Sequence, residues 1–201
     1  APADAKNGMT VLRTYASLRT LVKELNAGFR LPRDIRVLVG GSDGPYYDPN
    51  RRTIVMSPDF FELVLQLFRQ DDPNESERTL RRMTGDVAEF VFLHEVGHAL
   101  VDQLRLPITG REEDAVDDLA AVLALEVFEE PSTALAASYM FALFGDQREA
   151  LEASDFFDEH SLDEQRFYSI ICHMYGSDPR AWGDLAKSVG LPASRRSRCR
   201  S

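Results

Sequence analysis

Phe92-Leu93-His94-Glu95-Val96-Gly97-His98-Ala99-Leu100 places the pattern H-E-x-x-H inside an apolar run that reads as helix. On a helix, residues four apart share a face, so His94 and His98 can present two imidazole nitrogens to one metal ion with Glu95 beside them. Val91, Phe92, Leu93, Val96, Leu100 and Val101 surround the polar trio with large apolar side chains. This helix is therefore expected to be buried, and buried His and Glu need partners. The three residues could instead lie on an idle exposed face, but such a face would not carry that apolar surround. The stretch points to a hydrolytic metal site, with zinc as the expected ion, on a central helix.

The rest of the chain supplies elements to pack around that helix. Residues 10–26 carry Val11, Leu12, Tyr15, Leu18, Leu21, Val22 and Leu25 at helical spacing, with a stop at Asn26-Ala27-Gly28. Residues 35–39 are rich in β-branched side chains and bounded by Pro32 and Gly40-Gly41, which predicts a strand. Tyr46-Tyr47, the turn formers Asp48-Pro49-Asn50, and Thr53-Ile54-Val55-Met56 predict a hairpin that feeds a second strand. A helix opens at Pro58-Asp59 and gives way to a polar loop over 70–77. The central helix is expected over 79–104, ended by Pro107 and Gly110, and further helices over 112–129, 132–144, 161–175 and 179–189. This order predicts an α+β fold, a helix-dominated, minimal zincin-like arrangement with a small sheet, in one domain over 1–201 with a flexible tail over 195–201.

Composition narrows the function. A chain of 201 residues, 44% hydrophobic, can fill one core. A net charge of -10 argues against nucleic acid, whose phosphates need a basic surface. Arg195, Arg196, Arg198 and Arg200 cluster at the end and are read as a solvated terminus. No apolar run approaches the roughly 20 residues of a membrane span. The small-residue start Ala1-Pro2-Ala3-Asp4-Ala5 looks like the end left by signal-peptide removal, so an exported protein is expected, periplasmic or secreted. Cys172 and Cys199 permit one disulfide without establishing it.

A catalytic zinc needs a third protein ligand and one open position. A third histidine in H-E-x-x-H-x-x-G-x-x-H is excluded, because the matching positions are Val101 and Leu104. A cysteine ligand upstream of the motif, as in peptide deformylases, is excluded because no Cys precedes His94. The acidic run from Glu112 to Asp118 offers the alternative. Glu113 is favoured for its reach, with Asp117 one turn later placed to accept a hydrogen bond from a ligand histidine, while Glu112, Asp114 and Asp117 stay open as ligands. Zinc would bring the pKa of its water toward about 7, and Glu95 would act as general base and return the proton to the leaving amine. His160 is the best candidate donor to the oxyanion, ahead of Tyr46, Tyr47 and Tyr168, and His173 reads as a packing residue. Thr53–Met56, as an edge strand beside the cleft, could pair with an extended peptide substrate.

The residues then resemble known proteins at two levels. His94-Glu95-Val96-Gly97-His98 followed by Glu113-Asp114-Ala115-Val116-Asp117 resembles the glutamate-liganded zincin metallopeptidases, with H-E-x-x-H and then E-x-x-x-D on the next helix. Over nearly the whole chain, Tyr46-Tyr47-Asp48-Pro49, residues 93–100, 110–117 and 158–167, Cys172, Tyr175-Gly176-Ser177-Asp178-Pro179 and Cys199 are similar to a bacterial family known only by the label "putative metallopeptidase". The resemblance implies a zinc site, export, a Cys172–Cys199 disulfide, and a chain that continues a few tens of residues past Ser201. It implies a peptide or protein substrate, with no membrane span. Two other classes remain: a non-catalytic binding or scaffold module of the same fold, which the presence of Glu95 disfavours, and a zinc hydrolase of a non-peptide amide.

Overall fold

The structure is a computed structural model and describes residues 17–199. The first part of the helix expected over 10–26, the start at Ala1 and Arg200 lie outside them. The fold is helix-dominated with one small sheet, an α+β arrangement. Helix α1 covers 17–28 and turns Leu18, Leu21 and Leu25 into the core. Three strands follow: β1 (Arg36–Val39), β2 (Tyr46–Asp48) and β3 (Thr53–Met56), in the order β1-β3-β2. β3 pairs parallel to β1 and antiparallel to β2, with Tyr47 opposite Ile54. The Asp48 carboxylate accepts the backbone N–H groups of Asn50 and Arg51 and so shapes the hairpin turn.

This order corrects one expectation. β3 is the central strand, hydrogen-bonded on both sides, and cannot add a substrate strand. All four of its residues are buried, as a strand covered on both faces requires. The edge strands are β1 and β2, and β2 is held to the central helix by the Tyr47 hydroxyl donating to Asp102 at 2.8 Å.

After α2 (Pro58–Asp71) and a loop shorter than expected comes the central helix α3 (Glu77–Leu104). The Ser76 hydroxyl caps it by accepting the Thr79 N–H at 3.2 Å. α3 ends at Arg105, whose left-handed backbone (φ 53°) lets Leu106 N–H reach the Val101 carbonyl at 3.1 Å. The helix thus stops by its own cap, ahead of Pro107. α2, α4, α5, β2 and β3 all pack on α3.

The helix expected over 112–129 divides into α4 (Glu112–Val122) and a wider π-helical turn, Leu123–Val127. α5 (Pro131–Asp146), α6 (Ala153–Phe157), α7 (Asp163–Ser177), α8 (Gly183–Ser188) and α9 (Ala193–Arg196) follow, with α7 closing over α4 and α5. Cys172 on α7 is bonded to Cys199, the pairing the resemblance implied. The chain end expected as a free tail is therefore anchored through residue 199, with Arg195 and Arg196 in α9 and Arg196 donating to the Leu191 carbonyl. No helix among the described residues is long and apolar enough to cross a membrane.

Candidate metal centre

Two helices and one loop bring the polar groups together. α3 supplies His94 and His98 about one turn apart, with Glu95 next to His94. The first turn of α4 supplies Glu112 and Glu113, where carboxylates favour the positive end of the helix, and Asp117 follows. The loop between α6 and α7 supplies His160. α3 and α4 approach closely because position 97 is glycine: a Cβ there would sit 2.7 Å from Val116 Cβ.

The donor atoms converge. His94 Nε2 lies 3.2 Å from His98 Nε2 and 3.2 Å from Glu113 Oε2, and His98 Nε2 lies 3.3 Å from Glu113 Oε1. Tetrahedral zinc with bonds of roughly 2.0–2.1 Å separates its ligand atoms by roughly 3.3–3.4 Å, so these three span one face of such a site. The opposite ring nitrogens are committed. His94 Nδ1 donates to Asp117 at 2.7 Å and His98 Nδ1 to Glu112 at 2.9 Å, because an ionised carboxylate only accepts. When neutral, each ring would direct its Nε2 lone pair at Glu113. Glu113 Oε2 is buried and makes no well-aligned hydrogen bond, although His94 and His160 nitrogens stand 3.2 and 3.1 Å away. Two imidazole nitrogens and a carboxylate facing one another are compensated by a metal ion or by protons on the rings. The donor set fits a zinc-type ion.

Electrostatics agree. Burial alone would raise the Glu113 carboxyl, but the His160, His94 and His98 imidazoles close around it hold it well below the usual carboxylate range. Burial would lower the His94 imidazole, yet Asp117 and Glu113 outweigh it and raise it to about 9. Without a metal, protons on the imidazoles compensate the acids. Glu95 is buried, and that burial pushes its carboxyl up against the opposing pull of His94, His98 and the Tyr47 backbone amide. A raised carboxyl is a stronger base than an ordinary carboxylate, as a proton acceptor requires.

Of the residues expected at the site, His94, His98, Glu113 and His160 are clustered, Glu95 lies within electrostatic reach of His94, His98 and Glu113, and Asp117 accepts from His94. Glu112 orients His98 rather than facing the convergence point. Asp114 lines a cleft with Asp118 and Ser169 that Asp117 and Arg166 also border. Tyr168 donates to the Val189 carbonyl, the Tyr47 hydroxyl turns to Asp102, Tyr46 is exposed, and His173 pairs with Asp118 at 2.8 Å.

One supporting residue escaped the sequence reading. Arg166 on α7 grips Asp117 with both arms, Nε at 2.6 Å and Nη2 at 2.9 Å, while its guanidinium lies 3.9 Å over the Phe141 ring. A buried Asp needs a cationic partner, but nothing in the sequence selects this arginine, 49 residues away.

No curated protein and no solved structure matches the chain. The family described as "Putative metallopeptidase" matches residues 1–201, the whole chain, and the protein belongs to it.

Proposed function

We propose that the protein is an exported, zinc-dependent metallopeptidase of minimal zincin architecture that cleaves peptide bonds. The family description implies a metal and peptide substrates. One observation carries the finer reading: His94 Nε2, His98 Nε2 and Glu113 converge at 3.2–3.3 Å while both Nδ1 atoms are tied to carboxylates. His94, His98 and Glu113 would hold the ion. Bound zinc supplies Lewis acidity, which acidifies a water and polarises the scissile carbonyl. Glu95 accepts the water's proton on its carboxylate and returns it to the leaving amine. His160, once it turns Nε2–H toward the carbonyl, donates to the developing oxyanion. Export is supported by the Cys172–Cys199 disulfide, a bond that persists in oxidising compartments.

Metal analysis of the purified protein and a peptide-library digest test this. The wild type should carry near-stoichiometric zinc and Glu113→Ala should lose it. Glu95→Gln should keep the metal and lose cleavage by roughly 10²- to 10⁴-fold. Stoichiometric zinc in the Glu113 variant, or undiminished cleavage by the Glu95 variant, would sink the assignment.

A further inference from the structure

His160 repeats the geometry of the two helix histidines. Its Nδ1 lies 3.2 Å from Asp158 Oδ1, as His94 Nδ1 meets Asp117 and His98 Nδ1 meets Glu112. Its Nε2 lies 3.1 Å from Glu113 Oε2, and donor atoms of His94, Glu113 and His160 all fall within 4.8 Å of one another. The loop is aimed as well: Asp158 Oδ1 accepts the His160 backbone N–H at 2.8 Å, and Arg111, just before α4, donates to the His160 carbonyl at 2.9 Å. A carboxylate on Nδ1 and an outward Nε2 is the arrangement by which proteins orient a metal-binding imidazole. A histidine serving only as a distant donor needs no such alignment toward the ligand carboxylate.

Resting on the metallopeptidase reading above, we propose that His160 is a fourth protein ligand that closes the metal site in the resting protein and leaves it when substrate binds. Four protein ligands make a closed site, whereas hydrolysis needs one open position, so one of the four has to be exchangeable. His160 is the one built to exchange. The side chains of His94 and His98 are 9% and 17% exposed and sit on the core helix, whereas that of His160 is 46% exposed on a loop. Its departure breaks one coordinate bond and disturbs no packed core. The lone pair on Nε2 leaves, an oxygen of water or substrate takes the position, and no electron changes hands. The freed imidazole stays beside that position, and once its Nε2 takes up a proton from solvent water it can donate to the oxyanion.

Cobalt(II) loaded into the full chain reads this directly through its visible spectrum, with azide as a probe of an open position. Wild type should give a spectrum that azide does not alter, and His160→Ala one that azide does. Competition with a chelator should show zinc held roughly 10- to 100-fold more weakly by His160→Ala, and less weakened by Asp158→Asn, which removes only the orienting carboxylate. Cooperative metal-free unfolding of both variants would show that each still folds, so that the metal readouts report on the site. Equal azide response and equal affinity in wild type and His160→Ala would overturn the inference while leaving the metallopeptidase reading standing. A wild type that binds neither ion would overturn both.

Discussion

A methyl group added at Gly97 would meet Val116 Cβ at 2.7 Å and Cγ1 at 2.8 Å, inside contact distance, with the Val116 backbone at 3.3 Å behind them. Alanine is otherwise the better helix former by about 1 kcal/mol, so the sign of the substitution reports whether the α3–α4 contact can yield. Both walls are buried helix, and overpacking of this kind costs about 1–3 kcal/mol. Gly97→Ala should therefore lower the urea midpoint and weaken zinc binding, since His98 and Glu113 ride on the two helices being forced apart. A more stable Gly97→Ala protein would contradict the close approach. At this scale the sequence was most legible where spacing alone decides placement: His94 and His98 share a face because four residues make about one turn. Glu112 was harder to read. Neighbouring carboxylates on one helix turn point in different directions, and only the tertiary position of His98 shows which of Glu112 and Glu113 orients the ring and which faces the convergence point.

Helix α7 carries much of what the sequence left hidden. Arg166 and Asp117 have side chains 15% and 6% exposed, so their pairing is a desolvated one between α7 and α4. Removing one member of such a pair leaves an uncompensated charge and costs about 3–5 kcal/mol. Arg166→Met should lose stability on that scale, and adding Asp117→Asn should recover part of the loss, measured by chemical denaturation of the single and double variants. Full additivity would argue that the two groups do not interact. The same helix is tied at Cys172 to Cys199, 27 residues on. Closing a loop of that length restricts the unfolded chain by about 3–4 kcal/mol on the chain-entropy account. Reduction, or Cys172→Ala with Cys199→Ala, should lower the melting temperature accordingly, and an unchanged melting curve would count against that role. The sheet shows the opposite kind of miss. Thr53–Met56 was readable as a strand, and the unbroken apolar run Ile54-Val55-Met56 was the signal for a central position, where all four residues are buried. Strand order itself depends on β1 returning alongside β3, a pairing no local pattern encodes.

Across the whole molecule, carboxyl groups pull stability in opposite directions with pH. Asp117 is held below its ordinary range by His94 and Arg166 against the cost of burial, so its contribution is present above 3.8 and is lost as pH falls through its depressed value. Asp86, far along α3 from the metal site, behaves oppositely. Burial and the nearby Glu89 and Glu130 carboxylates push it from 3.8 up to about 6. Its folded form holds a proton that the unfolded chain has released, so its contribution is full below 3.8 and is lost as pH rises through about 6. Glu89, raised by burial despite hydrogen bonds from Ser17 and Thr133, acts in the same sense. With a net charge of -10, further ionisation adds repulsion. The metal-free protein should thus be most stable in mildly acidic solution. Asp86→Asn isolates the effect, because the amide cannot ionise. A fully buried shift of this size would correspond to about 3 kcal/mol, and solvent screening of this partly exposed group reduces it to about 1 kcal/mol. Denaturation near pH 7 should show that gain, while denaturation near pH 4 should show almost none. An equal gain at both values would mean that the substitution acts through packing, and that the acidic cluster of Asp86, Glu89 and Glu130 is not what weakens the fold as pH rises.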